Sequence, residues 1–322
     1  MMNKVNKKIL LGVILFAFYI LVQVLINTGI IDSYYELNLV IIGINIILAV
    51  SLNLITGFTG QFSLGHAAFM SMGAYTSAIL TAKFNQPFIL ALLLSGVVAS
   101  VAGILIGIPT LRLKGDYLAI ATLGFGEIVR VIAINTDYIG GAIGFNDIPR
   151  YTNWTWIFAS VLVTILLIKR FLNSYHGRAC IAIREDEIAA ESMGVNTTYY
   201  KVLAFAIGAF FAGTAGSLYA NYFYFIKPDS FGFMKSIDIL VIVVFGGIGS
   251  ILGSVIGAIS LSIISLFLQG IPELRMVIYS VILFVIMVYR HKGILGKREF
   301  KIFKSRKKNR KKVEFNVGAI SK

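Results

Sequence analysis

Charge is what this sequence has little of. Charged side chains make up 14% of the 322 residues, and only 15 residues are acidic. A soluble domain cannot cover its surface with so few. A mean hydropathy of +0.84, with 57% hydrophobic residues, places the chain in the membrane class. Cysteine is nearly absent: Cys180 stands alone, which excludes an internal disulfide and reads as an ordinary free thiol. No G-x-x-x-x-G-K followed by Ser or Thr occurs, so the chain has no phosphate-binding loop of that kind; the Gly-Ile-Leu-Gly-Lys of 293–297 is too short and lacks the hydroxyl. His66, His176 and His291 are scattered, with no Cys or carboxylate at ligand spacing, so no metal site is expected. Nothing pairs a nucleophile with a base, and no catalytic residue or resident cofactor is expected. The first apolar run, 9–31, exceeds the length of a signal core and no small-residue cleavage site follows, so it reads as a retained helix.

What charge there is lies unevenly. From Arg290 onward come 13 of the 29 Lys and Arg residues, opposed only by Glu299 and Glu314. A basic tail behind an apolar body reads as a cytoplasmic, membrane-proximal segment. It lacks the interleaved aromatics that stack on bases, so nucleic acid is not the expected partner. Apolar runs recur at 9–31, 37–54, 66–82, 88–111, 116–135, 154–168, 202–222, 237–245, 248–268 and 276–289. Backbone groups in hydrocarbon must bond within their own segment, so these runs predict helices, and the alternation of a β-barrel is missing. The region 237–268 is broken by Gly246, Gly247 and Gly249, and reads either as one interrupted helix or as two spans. Charge decides: Lys4, Lys7 and Lys8, Arg112 with Lys114, Lys169 with Arg170, and the tail all belong inside, which requires an even number of crossings. The expectation is an all-α, polytopic bundle of about ten transmembrane helices with glycine-interrupted segments and both termini cytoplasmic. Residues 1–292 are expected to form the transmembrane domain, with a cytoplasmic loop at 173–201. Residues 293–322 form a basic tail expected to be disordered.

Four motifs stand out. Between Asn53 and Tyr75, Gly57, Gly60 and Gly65 break the helical pattern beside Thr59, Gln61, Ser63 and His66. Unwound backbone at membrane depth is tolerated only against protein or a watery cavity, so this stretch reads as a pathway wall or as a tightly packed interfacial turn. Within 116–135, Glu127 and Arg130 lie three apart on one helix face, as a pathway or gating pair or as a structural ion pair. In 182–194, Glu185, Asp186 and Glu187 suit the start of a short helix and Gly194 its end, giving either a docking element or an amphipathic helix on the membrane. Small residues repeat every fourth position, Gly208–Ala212–Gly216–Ala220 and Gly249–Gly253–Gly257, as packing stripes.

The Gly-Gln-Phe-Ser-Leu-Gly-His-Ala-Ala-Phe of 60–69 resembles a hallmark of branched-chain amino acid permeases of ATP-binding cassette importers. Residues 113–127 are similar to the LivM type, the loop with Ala189, Ala190 and Gly194 to that family's coupling region, and 245–254 to its late glycine motif. The likeness covers roughly residues 37–292. It implies a multi-pass plasma-membrane subunit that pairs with a second, homologous permease. It also implies two cytoplasmic ATPase subunits holding ATP and magnesium, and an extracytoplasmic binding protein delivering leucine, isoleucine or valine. On that reading Gly60, Gln61, Ser63, Gly65, His66, Glu127, Arg130, Gly246, Gly247 and Gly249 line the pathway, and Arg184, Glu187, Ala189, Ala190 and Gly194 couple to the ATPases. The same importer class also serves urea and short amides. A proton-coupled secondary transporter working through Glu127 is the competing class.

Overall fold

The computed structural model describes residues 4–110, 113, 115–268, 277, 278 and 281. The expected span 276–289, apart from those last three helical residues, lies outside the described residues. So do Arg112, Lys114 and the basic tail. Among the described residues there is no strand, only an isolated bridge between Phe145 and Ile226. The helices are α1 (Lys4–Asn27), α2 (Ser33–Asn53), α3 (His66–Ala78), α4 (Phe88–Thr110), α5 (Asp116–Ile134), α6 (Trp154–Asn173), α7 (Tyr175–Glu185), α8 (Glu187–Ser192), α9 (Thr197–Phe223), α10 (Phe233–Gly246) and α11 (Ile251–Phe267). Five are long and apolar enough to cross a membrane; α10 and α11, bent by 119° at their break, make a sixth if counted together.

The apolar runs set where helices form, and short polar residues set where they begin. Asn153, Ser174, Asp186, Asn196 and Ser250 each accept a backbone N–H of the first turn of α6, α7, α8, α9 and α11. A π turn (Leu54–Phe58) prolongs α2 and another (Ile79–Lys83) prolongs α3, widening the helix just before each leaves its regular course.

Helix α9 is the axis of the bundle. Its most apolar stretch is 72% buried and that of α2 with its π turn is 83% buried, against 22% for α5 and α6. The expected small-residue stripe does the packing. A methyl at Gly216 would stand 2.0 Å from the Met70 carbonyl oxygen of α3, and one at Gly208 2.5 Å from Ile55. Gly213 meets the Ser95 carbonyl of α4 in the same way, at 2.5 Å. In lipid, where apolar surface alone gives little reason for helices to associate, such backbone approach supplies the contact. Helices α10 and α11 use the same device: a methyl at Gly253 would stand 2.4 Å from the Gly246 carbonyl oxygen, and one at Gly257 2.6 Å from the Ile242 carbonyl oxygen. Their break therefore closes as a tight hairpin.

The short helix expected to start at the acidic run 185–187 and to end at Gly194 is α8: Glu185 closes the separate helix α7, and Asp186 caps α8 through the Ala189 N–H at 3.0 Å. Asp186 is held in an extended conformation (φ −159°) that no helix can contain, so the chain turns there.

Candidate translocation path and coupling site

Asn53, fully buried at the end of α2, ties the two unwound segments together. Its Oδ1 accepts the Gly249 N–H at 2.8 Å, and its Nδ2 donates to the Ser250 carbonyl at 2.9 Å and to Ser254 Oγ at 2.7 Å. One amide thus satisfies the backbone that the α10–α11 break leaves unpaired. Gly57 sits against this knot, where a methyl would stand 1.8 Å from Asn53 Oδ1 and 2.4 Å from the Gly249 nitrogen. Gly249 itself has φ +81°, a left-handed conformation that glycine alone adopts without strain.

The next contact comes from the loop between α6 and α9. Arg184, near the end of α7, donates from Nη1 to the Gly57 carbonyl at 2.8 Å and pairs through Nη2 with Glu185. A methyl on Gly60 or Gly249 would press on the Arg184 side chain, at 3.1 and 2.9 Å. The structure therefore brings together Gly60 and Gly249, read as pathway residues, and Arg184, read as a coupling residue.

Beyond Gly60 the chain runs through a buried polar stretch. Ser51 Oγ and His66 Nε2, both without exposure, lie 2.8 Å apart. Leu64 N–H donates to Thr122 Oγ1 of α5 at 3.0 Å and Ala67 N–H to Ser236 Oγ of α10 at 3.2 Å, so both neighbours hold the loop. A methyl at Gly65 would meet the Thr122 carbonyl at 2.6 Å. Ser63 turns inward to accept the Gly65 N–H at 3.4 Å. The Gln61 amide, 3% exposed, and His66 Nδ1 have no hydrogen-bond partner among the described residues. Leaving a buried amide unpaired costs on the order of 1–3 kcal/mol, so this stretch is polar at a cost in stability that plain packing does not call for.

Glu127 and Arg130 form the ion pair their spacing predicts, Arg130 Nη1 to Glu127 Oε2 at 2.9 Å. The guanidinium also grips Asp229 Oδ1 through Nη2 at 2.9 Å and Nε at 3.2 Å, joining α5 to the turn Pro228–Phe231. The pair is part-exposed, at 34% for Arg130 and 38% for Glu127, and its hydrogen bonds run to Asp229 and not to the glycine segments among the described residues. Gly246 and Gly247 belong to the hairpin turn, with Gly247 at φ +116°.

On the coupling side, Ala190 is buried among Ala179, Cys180, Ile183, Tyr200 and Ala204, fastening α8 to α7 and α9. Glu187 bonds to Lys201 Nζ at 2.6 Å. Ala189 faces outward beside Ile188 and Met193, which are 74% and 84% exposed, and Gly194 ends the helix at φ +82°. Burial pushes the Cys180 thiol up to about 11, so it is neutral and unreactive.

Asn53, Ser254, Thr122, Ser236 and Asp229 escape sequence reasoning as site residues. Asn53 alone left a signal, as a polar residue with no charge partner at the end of a long apolar run.

Comparison with known proteins agrees with this layout. A family model described as the branched-chain amino acid transport system / permease component matches residues 34–287. The chain is 37% identical over 287 residues to the high-affinity branched-chain amino acid transport system permease protein LivM of Salmonella typhimurium, covering 78% of this chain and 68% of that one. It is 36% identical to the LivM of Escherichia coli over the same shares, and 34% identical over 148 residues to the Escherichia coli permease protein LivH, covering 45% of this chain and 47% of that one. No solved structure matches. A multi-pass helical body, two glycine-broken segments tied at Asn53 and a family match from the start of α2 through α11 lead to one conclusion: this chain belongs to the family of branched-chain amino acid transport permease components.

Proposed function

We propose that this chain is one of two membrane-spanning subunits of an ATP-driven importer of leucine, isoleucine and valine in the cell membrane. The second subunit is a homologous permease, two cytoplasmic ATPases supply the force, and an extracytoplasmic binding protein delivers the substrate. On this reading the chain crosses the membrane ten times with both ends inside: α1 to α6, α9 to α11, and the apolar run 276–289. The likeness to both LivM and LivH, permease proteins of a branched-chain amino acid transport system, supports the substrate class and the pairing of two permeases.

The observation that carries the mechanism is the hydrogen bond from Arg184 to the Gly57 carbonyl. The pair α7–α8 shows Ile188 and Met193 to the outside, apolar knobs of the kind a docking partner covers. Its other face reaches, through one guanidinium, the point where both unwound segments meet. A push on α8 is thereby delivered to Gly57, Gly60 and Gly249, the backbone best able to change conformation. ATP binding by the partners supplies the difference in contact energy that such a two-state motion requires.

Reconstitution of the five-part assembly in proteoliposomes tests this. Leucine uptake should need ATP and the binding protein. Accumulation of leucine by this chain alone, driven by a proton gradient, would overturn the reading in favour of secondary transport through Glu127.

A further inference from the structure

Lys235 and Asp238 are the two charged residues of α10, an otherwise apolar helix. Charge in such a helix faces protein or a wet cavity, because hydrocarbon penalises it heavily. Both line a cavity of about 310 Å³ between α2, α9, α10 and α11, separate from the glycine segments. One wall is polar and cross-braced. Asn45 of α2 accepts from Lys235 Nζ through Oδ1 at 3.4 Å and donates through Nδ2 to Ser262 Oγ of α11 at 3.1 Å. An ammonium only donates, so the amide oxygen must face it, and this fixes the orientation of Asn45. The other wall is apolar: Tyr219 and Phe223 stand one turn apart on α9 with ring centroids 4.5 Å apart, and Ile41 joins them.

A cation and a carboxylate three residues apart on one helix, about 5–6 Å between their Cβ atoms, stand beside aromatic and aliphatic surface. This is the complement of a small aliphatic α-amino acid, whose carboxylate and ammonium flank a single carbon. We propose that this cavity is a binding station for aliphatic zwitterions within the chain itself, with Lys235 taking the carboxylate, Asp238 the ammonium, and Tyr219 and Phe223 the side chain. Pockets that recognise small solutes have this make-up, apolar walls with a few placed polar groups. The proposal rests on the importer reading for its substrate class.

The test uses the whole assembly in proteoliposomes with a Cys180→Ser, Ser265→Cys chain, Ser265 being on the cavity wall. Leucine should slow maleimide modification of the new thiol, while urea and lysine should not. In the Cys180→Ser background, Asp238→Asn and Lys235→Gln should each raise the KM for leucine about tenfold, with a smaller effect on the maximal rate, and Lys235→Arg should restore part of the loss. Modification rates indifferent to leucine, with wild-type KM in both charge variants, would overturn the station and leave the importer reading standing. Failure of the wild-type assembly to move any leucine would instead remove the importer reading and this proposal with it.

Discussion

Arg184 reaches across 127 residues of sequence to donate a 2.8 Å hydrogen bond to the Gly57 carbonyl. It joins the α7–α8 pair to the bundle's two unwound segments at their meeting point. Arg184→Ala removes this link while leaving the helix pair in place. The expected outcome is an assembled complex that still hydrolyses ATP but takes up leucine about tenfold more slowly. Simultaneous measurement of phosphate release and uptake checks it, and equal loss of both would show that Arg184 serves assembly only.

Ala190 is buried to 6% exposure against α7 and α9. Ala190→Phe overpacks that contact, at a cost of about 1–3 kcal/mol, and levers α8 outward. ATP hydrolysis should then run without uptake, whereas Ala190→Ser should behave nearly as the parent. The ratio of uptake to hydrolysis in vesicles is the readout.

Asn53→Leu leaves the Gly249 N–H, the Ser250 carbonyl and Ser254 Oγ without their side-chain partner. The chain should lose about 3 kcal/mol of stability, visible as a lower Tm of the purified protein in detergent. Asn53→Asp keeps the acceptor for Gly249 and loses the two donations, so it should fall between the two.

Glycines differ sharply in what they tolerate. Gly216→Ala places a methyl 2.0 Å from the Met70 carbonyl oxygen and should cost about 1–3 kcal/mol. Gly126→Ala on α5 meets nothing within 4 Å and should stabilise the isolated chain by roughly 1 kcal/mol through helix propensity. Thermal unfolding of the two variants side by side separates these outcomes. If Gly126→Ala also weakens assembly with the second permease, then that face of α5 is covered in the complex.

Cys180, buried with its thiol raised to about 11, should resist maleimide at neutral pH in the folded chain and react once the chain is unfolded. Because the shift is upward, reactivity should rise only as the pH approaches the raised value. Rapid labelling at pH 7.5 would show that α7 separates from α9 in solution.

Much of this fold was legible because an apolar run in hydrocarbon has one solution. Each described helix from α1 to α6 and α9 to α11 falls on a predicted run, and the glycine breaks fall where the sequence places them. The inner loop was less legible. Helix α7 turns only Gly177, Ala179, Cys180 and Ile183 inward, too sparse a pattern against Tyr, His and Arg to announce a helix. The partners of the site were not legible. Asn53 and Ser254 lie 201 residues apart, and Arg130 and Asp229 lie 99 apart. Nothing local to either residue encodes the meeting. Lys235 stands just before the apolar run 237–245 and so falls outside it. The helix instead extends through it to Phe233.

The glycine seam between α10 and α11 has one more consequence. Gly246, Gly253 and Gly257 set main chain directly on main chain beside the break, so no side chain separates the two helices at those positions. The hairpin is therefore stiffest at its tip, where Asn53 holds it, and the two helices are free to part only further along, some 20 Å away by the rise of 14 residues, where side chains and a cavity lie between them.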